Sequence, residues 1–161
     1  MTDIPSSATI TEARLYLYQT DSHGDSVYNN SVHKIIGREP IIDQVSGYNA
    51  YNGNPWTPVP AGTTNNDAPL GLADIAPDES TIQLGTLQQY HSWPVTDMVQ
   101  EWVNNPSSNY GLLIQGEPAS IETGRTFAAS ENQNTATRPK LVISYSILLP
   151  VPQILSIEVT Q

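Results

Sequence analysis

Four aromatic residues stand out as groups that could do chemistry, and the chemistry would be recognition. Tyr48, Tyr51 and Trp56 fall inside a long segment, Ser46 to Asp78, that is rich in Gly, Asn, Pro and Tyr, and Tyr90 follows it. Sugar rings stack an apolar face on exposed Trp or Tyr, and neutral amides such as those of Asn supply the directional hydrogen bonds. These four residues form the candidate ligand-binding set. The competing reading folds Trp56 and one tyrosine back onto the core.

Catalysis finds less support. No nucleophile elbow, phosphate loop, dinucleotide fingerprint or zinc-protease helix occurs in the sequence. His23, His33 and His91 lie far apart, and none sits at a metal-ligand spacing from another. Glycoside hydrolysis needs two carboxylates, and acidic residues do cluster at Asp74, Asp78 and Glu79 and again at Asp21 and Asp25. Solvated turns account for both clusters. Asp21-x-x-x-Asp25 lacks the spacing of a calcium loop, although acidic loops of this kind leave room for a structural calcium ion. No catalytic residue, metal ligand or cofactor is assigned, and the chain is expected to be a non-enzyme. With no cysteine, it can hold neither a disulfide nor a thiolate metal site. Asn29-Asn30-Ser31 fits a glycosylation acceptor, which is a weak pattern on its own.

The elements that must position these groups read as strands. The 13 prolines and 10 glycines are scattered, which leaves little room for long helices. Alternating or apolar runs appear at Ala8 to Gln19, Val32 to Ile36, Pro40 to Val45, Thr81 to Leu87, Gly111 to Gln115 and Leu141 to Tyr145. In the first run, Ile10, Ala13, Leu15 and Leu17 mark one side. The Gly111 to Gln115 run suits a buried strand. One helix is predicted near Asp97 to Asn104, where Met98, Val99, Trp102 and Val103 recur at helical spacing. Thr96 or Asp97 is expected to cap it, and Asn104-Asn105-Pro106 ends it. In the long segment, Asn52-Gly53 and Asn54-Pro55 are turn signals.

Charge narrows the partners. Six basic residues face sixteen acidic ones, for a formal net charge of −10. That disfavours nucleic acid and anionic membrane surfaces, because no basic stripe exists to neutralise phosphates. Only 14% of residues are charged, against about 25% in typical soluble domains. Asn, Gln, Ser and Thr fill the gap, which suits an extracellular or cell-surface protein. Met1-Thr2-Asp3 does not open a signal peptide and reads as a fragment boundary, and no stretch is long enough to span a bilayer.

Several segments together resemble the DNRLRE-domain family: Ile4 to Tyr18 (IPSSATITEARLYLY), Tyr48 to Gly62, His91 to Gln115 (with VTDMVQEWV followed by NYGLLI) and Phe127 to Tyr145 (FAASE with RPKLVISY). That family is related to disaggregatase repeats and overlaps a group of alginate-type carbohydrate-binding modules. The resemblance implies an all-β fold: an antiparallel β-sandwich of jelly-roll type with one short helix, extracellular and without catalysis. Two departures stand out. The family usually has earlier strands, ending in a run like LLRFDLS, and this sequence begins after that point. It also continues past the domain.

The expected organisation is therefore a sandwich over residues 1–145, a proline-containing linker over 146–152 and an extra strand over 153–161. In that last segment Leu155, Ile157 and Val159 face one way, with Ile154 beside them. Two functions follow. The first is polysaccharide binding. The second is a structural subunit of an extracellular filament, in which Ile154, Leu155, Ile157 and Val159 of one copy complete the sheet of the next. The expected partners are a polysaccharide or copies of the chain itself, without membrane insertion.

Overall fold

The structure, a computed structural model, describes residues 4–46, 49–56, 74–117 and 122–148. In chain order the elements are β1 (Thr9–His23), β2 (Tyr28–Ile35), β3 (Asn49–Tyr51), β4 (Asn54–Pro55), β5 (Ile75–Leu84), β6 (Tyr90–Pro94), α1 (Thr96–Asn104), β7 (Leu112–Gly116), β8 (Gly124–Phe127) and β9 (Lys140–Ser146). β1 is the spine of one sheet. It pairs with β6 along one edge, and with β9 and then β8 along the other. The second sheet has the order β5-β2-β7. All these ladders are antiparallel, and the two sheets enclose one core. The protein is an all-β sandwich with a single α-helix among the described residues, as its strand runs and its one helical run predict.

The side chains of β1 show how sequence spacing becomes sheet faces. Ile10 and Ala13 are both buried although three residues apart, which a regular strand forbids. A register shift between Ile10 and Glu12 in the β9 ladder accommodates one extra residue, and this bulge rephases the strand. Beyond it, Ala13, Leu15, Leu17 and Gln19 point inward, while Arg14, Tyr16 and Tyr18 point outward. The inward set meets Val32, Leu84 and Trp93. Trp93 is fully buried, and its indole Nε1 donates across the core to the Asn30 carbonyl at 3.2 Å.

Helix α1 closes one end of the sandwich, burying Met98, Val99, Trp102 and Val103 as its spacing predicts. Gln100 docks it by accepting from Ile10 N at 2.8 Å and donating to Ala8 O at 3.2 Å. The expected caps need correction. Val95 holds the N-cap position without a side-chain bond, and the Glu79 carboxylate of β5 accepts from Met98 N at 2.9 Å instead. Thr96 Oγ1 is taken by Ala13 N at 3.1 Å.

Other expectations also need correction. Pro40 to Val45 is a turn: Gln44 N and Val45 N both donate back to Ile41 O, and Ile42 is 91% exposed with no sheet to cover it. β7 is only half-buried, because it is an edge strand. The sequence runs also passed over β6, β8 and the β3–β4 hairpin, all of five residues or fewer. The expected strand over 153–161 and the linker residues 149–152 lie outside the described residues.

Two measurements check this account. Trp102→Ala is expected to cost about 3–5 kcal/mol in chemical denaturation, as for other buried large aromatics. His91, on β6, is 9% exposed with Nε2 unpartnered among the described residues. Burial holds its pKa below the usual 6.5, and the Arg125 charge adds to that, while a backbone hydrogen bond with Leu87 works the other way. The native state therefore prefers the neutral ring. Its contribution is complete above the unfolded value and is lost as pH falls below about 6.5 toward the lowered folded value. Urea midpoints at pH 7.5 and 5.5 are expected to converge in His91→Leu relative to the unmodified protein.

Candidate carbohydrate-binding surfaces

The outer face of the first sheet gathers an aromatic patch from three strands. The registers Tyr18↔Tyr90, Tyr16↔Ser92 and Tyr16↔Lys140 bring these side chains together. Tyr90 meets Tyr18 edge-on with ring centres 5.2 Å apart, and Tyr16 at 6.4 Å. Its hydroxyl is held by the carbonyls of Ala136 and Arg138 at 2.7 and 2.9 Å, so the ring is fixed in place. Lys140 Nζ lies 4.4 Å from the Tyr90 ring centre and 5.2 Å from that of Tyr16, within cation–π range. Arg14 completes the patch: its Nη2 donates to Ser92 Oγ at 2.9 Å. Lys140 is exposed and has no ion-pair partner among the described residues.

The other predicted site residues lie elsewhere. Asn52-Gly53 closes the β3–β4 hairpin, with Gly53 at φ +76°, in the left-handed region that favours glycine. This hairpin folds onto the outer face of the second sheet. There Trp56 packs with Ile35 and Ala50, and Tyr51, Tyr110 and Leu113 surround them. The Trp56 indole Nε1 donates to Ser46 O at 3.0 Å. At 4% exposure Trp56 cannot offer a ring face to a sugar, which corrects its assignment to the binding set. The ring gains more by anchoring a hairpin that otherwise has little core of its own. Tyr51 is half-buried against it, and Tyr48 lies outside the described residues. The structure thus brings Tyr51 and Trp56 together and sets Tyr90 apart.

A shallow cleft of about 320 Å³ opens beside this cluster, lined by Ile36, Glu101, Asn105, Ser107, Ser108 and Tyr110. Its polar groups are already committed to one another. Ser107 Oγ donates to Asn105 Oδ1 at 2.7 Å, Ser108 Oγ donates to Asn105 O at 2.8 Å, and Glu101 is paired with Lys34. A ligand here would have to displace internal bonds, whereas the Tyr16–Tyr18–Tyr90 patch keeps its cation available. Sequence reasoning missed Tyr16, Tyr18, Arg14 and Lys140. The signal was the outward phase of β1, at alternate positions to Leu15 and Leu17. Among the described residues no group of three or more His, Asp or Glu side chains could hold a metal ion.

A two-sheet sandwich that carries rigid tyrosines and cations on an outer sheet face has the build of a recognition module. The chain belongs to carbohydrate-binding module family 96, whose sequence pattern matches residues 47–145. The matched region runs from the β3–β4 hairpin to the penultimate residue of β9, so it includes Tyr90 and Lys140 and leaves out β1. No curated protein and no solved structure matches the chain.

Trp56→Ala is expected to raise amide exchange at Ala50 and across the hairpin, measured by mass spectrometry. Exchange in β1 and β6 should stay at its original rate, because their buried apolar side chains belong to the other hydrophobic cluster.

Proposed function

We propose that this protein is a non-catalytic extracellular module that holds an acidic polysaccharide on the outer face of its first sheet. The observation that carries this reading is the placement of cations. The chain has six basic residues against sixteen acidic ones, yet Arg14 and Lys140 share one face with Tyr16, Tyr18 and Tyr90. Tyrosine rings suit the apolar faces of pyranoses. The Lys140 ammonium at their margin suits a ring carboxylate, whereas the Arg14 guanidinium is held by Ser92 and lies 3.6 Å from the Glu12 carboxylate. The surrounding net negative charge would otherwise repel such a glycan, so Lys140, without an ion-pair partner among the described residues, gives the patch its selectivity.

A second reading, a structural subunit that assembles with copies of itself, is favoured by a different observation. β9 belongs to the first sheet, yet its inward-facing Leu141 and Tyr145 remain 38% and 43% exposed. Apolar side chains on the core side of a sheet ordinarily lie under a facing strand.

Affinity electrophoresis in gels containing a polyuronate or a neutral glucan tests the first reading. The expected result is retardation by the polyuronate, weakened about tenfold or more by Tyr16→Ala, a loss of about 1.4 kcal/mol. Lys140→Ala is expected to abolish most of the salt dependence of binding. Unchanged retardation in both variants, or none with the unmodified protein on either polymer, would sink the proposal.

A further inference from the structure

Among the described residues, one side of the sandwich is open, and it is formed by two edges that face the same way. β5 and β6 are joined on the opposite side, where Ser80 Oγ of β5 donates to Pro94 O of β6 at 2.8 Å. β7 and β9 therefore flank the other side. Each has a ladder on one edge only among the described residues: β7 with β2, and β9 with β1. β8 and β9 lie end to end along one edge of β1, so each sheet is three strands wide. On β9, Leu141 and Tyr145 face the second sheet yet stay exposed, although Ile143 between them packs on the core. A strand laid along the free edge of β7 would cover all three and give Leu112 and Ile114 a neighbour.

We infer that this groove takes the segment Gln153–Gln161 of a second copy of the chain, running antiparallel to β7. This rests on the structural-subunit reading and names its joint. The sequence of the segment fits: Leu155, Ile157 and Val159 alternate with Ser156, Glu158 and Thr160, giving one apolar face for the core and one polar face for solvent.

Strand direction selects a second copy over the chain's own tail. Residues 24–27 turn the chain from β1 in one sheet to β2 in the other, so β2 runs against β1. β7 is antiparallel to β2 and so runs with β1, while β9 runs against β1. A tail that reversed after β9 into the groove would lie parallel to β7. Every ladder among the described residues is antiparallel, and parallel pairing is the less stable form. Length is no obstacle to the tail, since residues 147–152 reach about 20 Å and sheets stack about 10 Å apart. Direction is the obstacle, and Pro150 and Pro152 stiffen the path further. A segment from another copy approaches from outside and meets β7 in the antiparallel sense. Because tail and groove are different surfaces, the contact is head-to-tail and can propagate.

The test uses the full chain and two kinds of variant on a sizing column with light scattering. The unmodified chain is expected to form larger species as concentration rises. Ile157→Glu removes the donor, and Leu141→Glu or Tyr145→Glu puts a charge in the groove at a position already partly exposed. Each variant alone is expected to remain a folded monomer by circular dichroism. Mixing Ile157→Glu with Leu141→Glu leaves one good tail and one good groove, and the mixture is expected to stop at dimers. If the unmodified chain stays monomeric at every concentration, the structural-subunit reading fails with the inference. If it assembles but Ile157→Glu assembles equally well, or the mixture forms no dimer, the joint is elsewhere and the inference alone is overturned. A monomer whose melting temperature drops with Ile157→Glu would place the tail in its own groove, which also overturns it.

Discussion

The hydrogen bond from the Trp93 indole to the Asn30 carbonyl ties the two sheets together through the middle of the core. Trp93 comes from β6, at one edge of the first sheet, and Asn30 from β2, the centre of the second. The bond is buried, so breaking it would leave a donor and an acceptor without water, at a cost well above the bond's own net worth. It also fixes the phase of β6. With Trp93 and His91 inward, Tyr90 and Ser92 face outward. Together with the bulge in β1, which turns Tyr16 and Tyr18 to that same side, it sets the tyrosine patch. The recognition surface is a by-product of how the core is pinned.

Much of this fold could be read from the sequence. The β1, β5, β7 and β9 runs were legible because each joins β-branched or long aliphatic residues to a clear period. The helix was legible because four apolar residues share one face. What escaped has physical causes. β6 and β8 are short, and their burial is carried by a tryptophan, a histidine and a phenylalanine. Pro40 to Val45 carries the apolar residues of a strand, but local hydrogen bonds to Ile41 O satisfy its backbone first. The cap on α1 was illegible because its acceptor, the Glu79 carboxylate, lies on another element 19 residues away.

The binding residues were legible in kind and less so in place. Aromatics in an Asn-rich loop are reasonable sugar ligands, but a tryptophan beside a tight turn is also the cheapest way to hold that turn on a sheet. Trp56 does the second. Tyr90 instead joins two tyrosines whose strand looks, on its inward side, like ordinary core. Only the pairing of β1 with both β6 and β9 shows that Tyr16, Tyr90 and Lys140 converge, and pairing between strands this distant in sequence is invisible to any local pattern.

The register Thr9↔Ser146 places the start of β1 beside the finish of β9. The described chain therefore comes in and goes out at one corner. Any polypeptide continuing past both points would carry the sandwich as a pendant, adding almost nothing to its span. Tension along such a polypeptide would arrive at that corner and open the β1–β9 ladder one rung at a time, like a zip. The geometry resists load poorly but leaves the outer face of the sheet clear of its own tether.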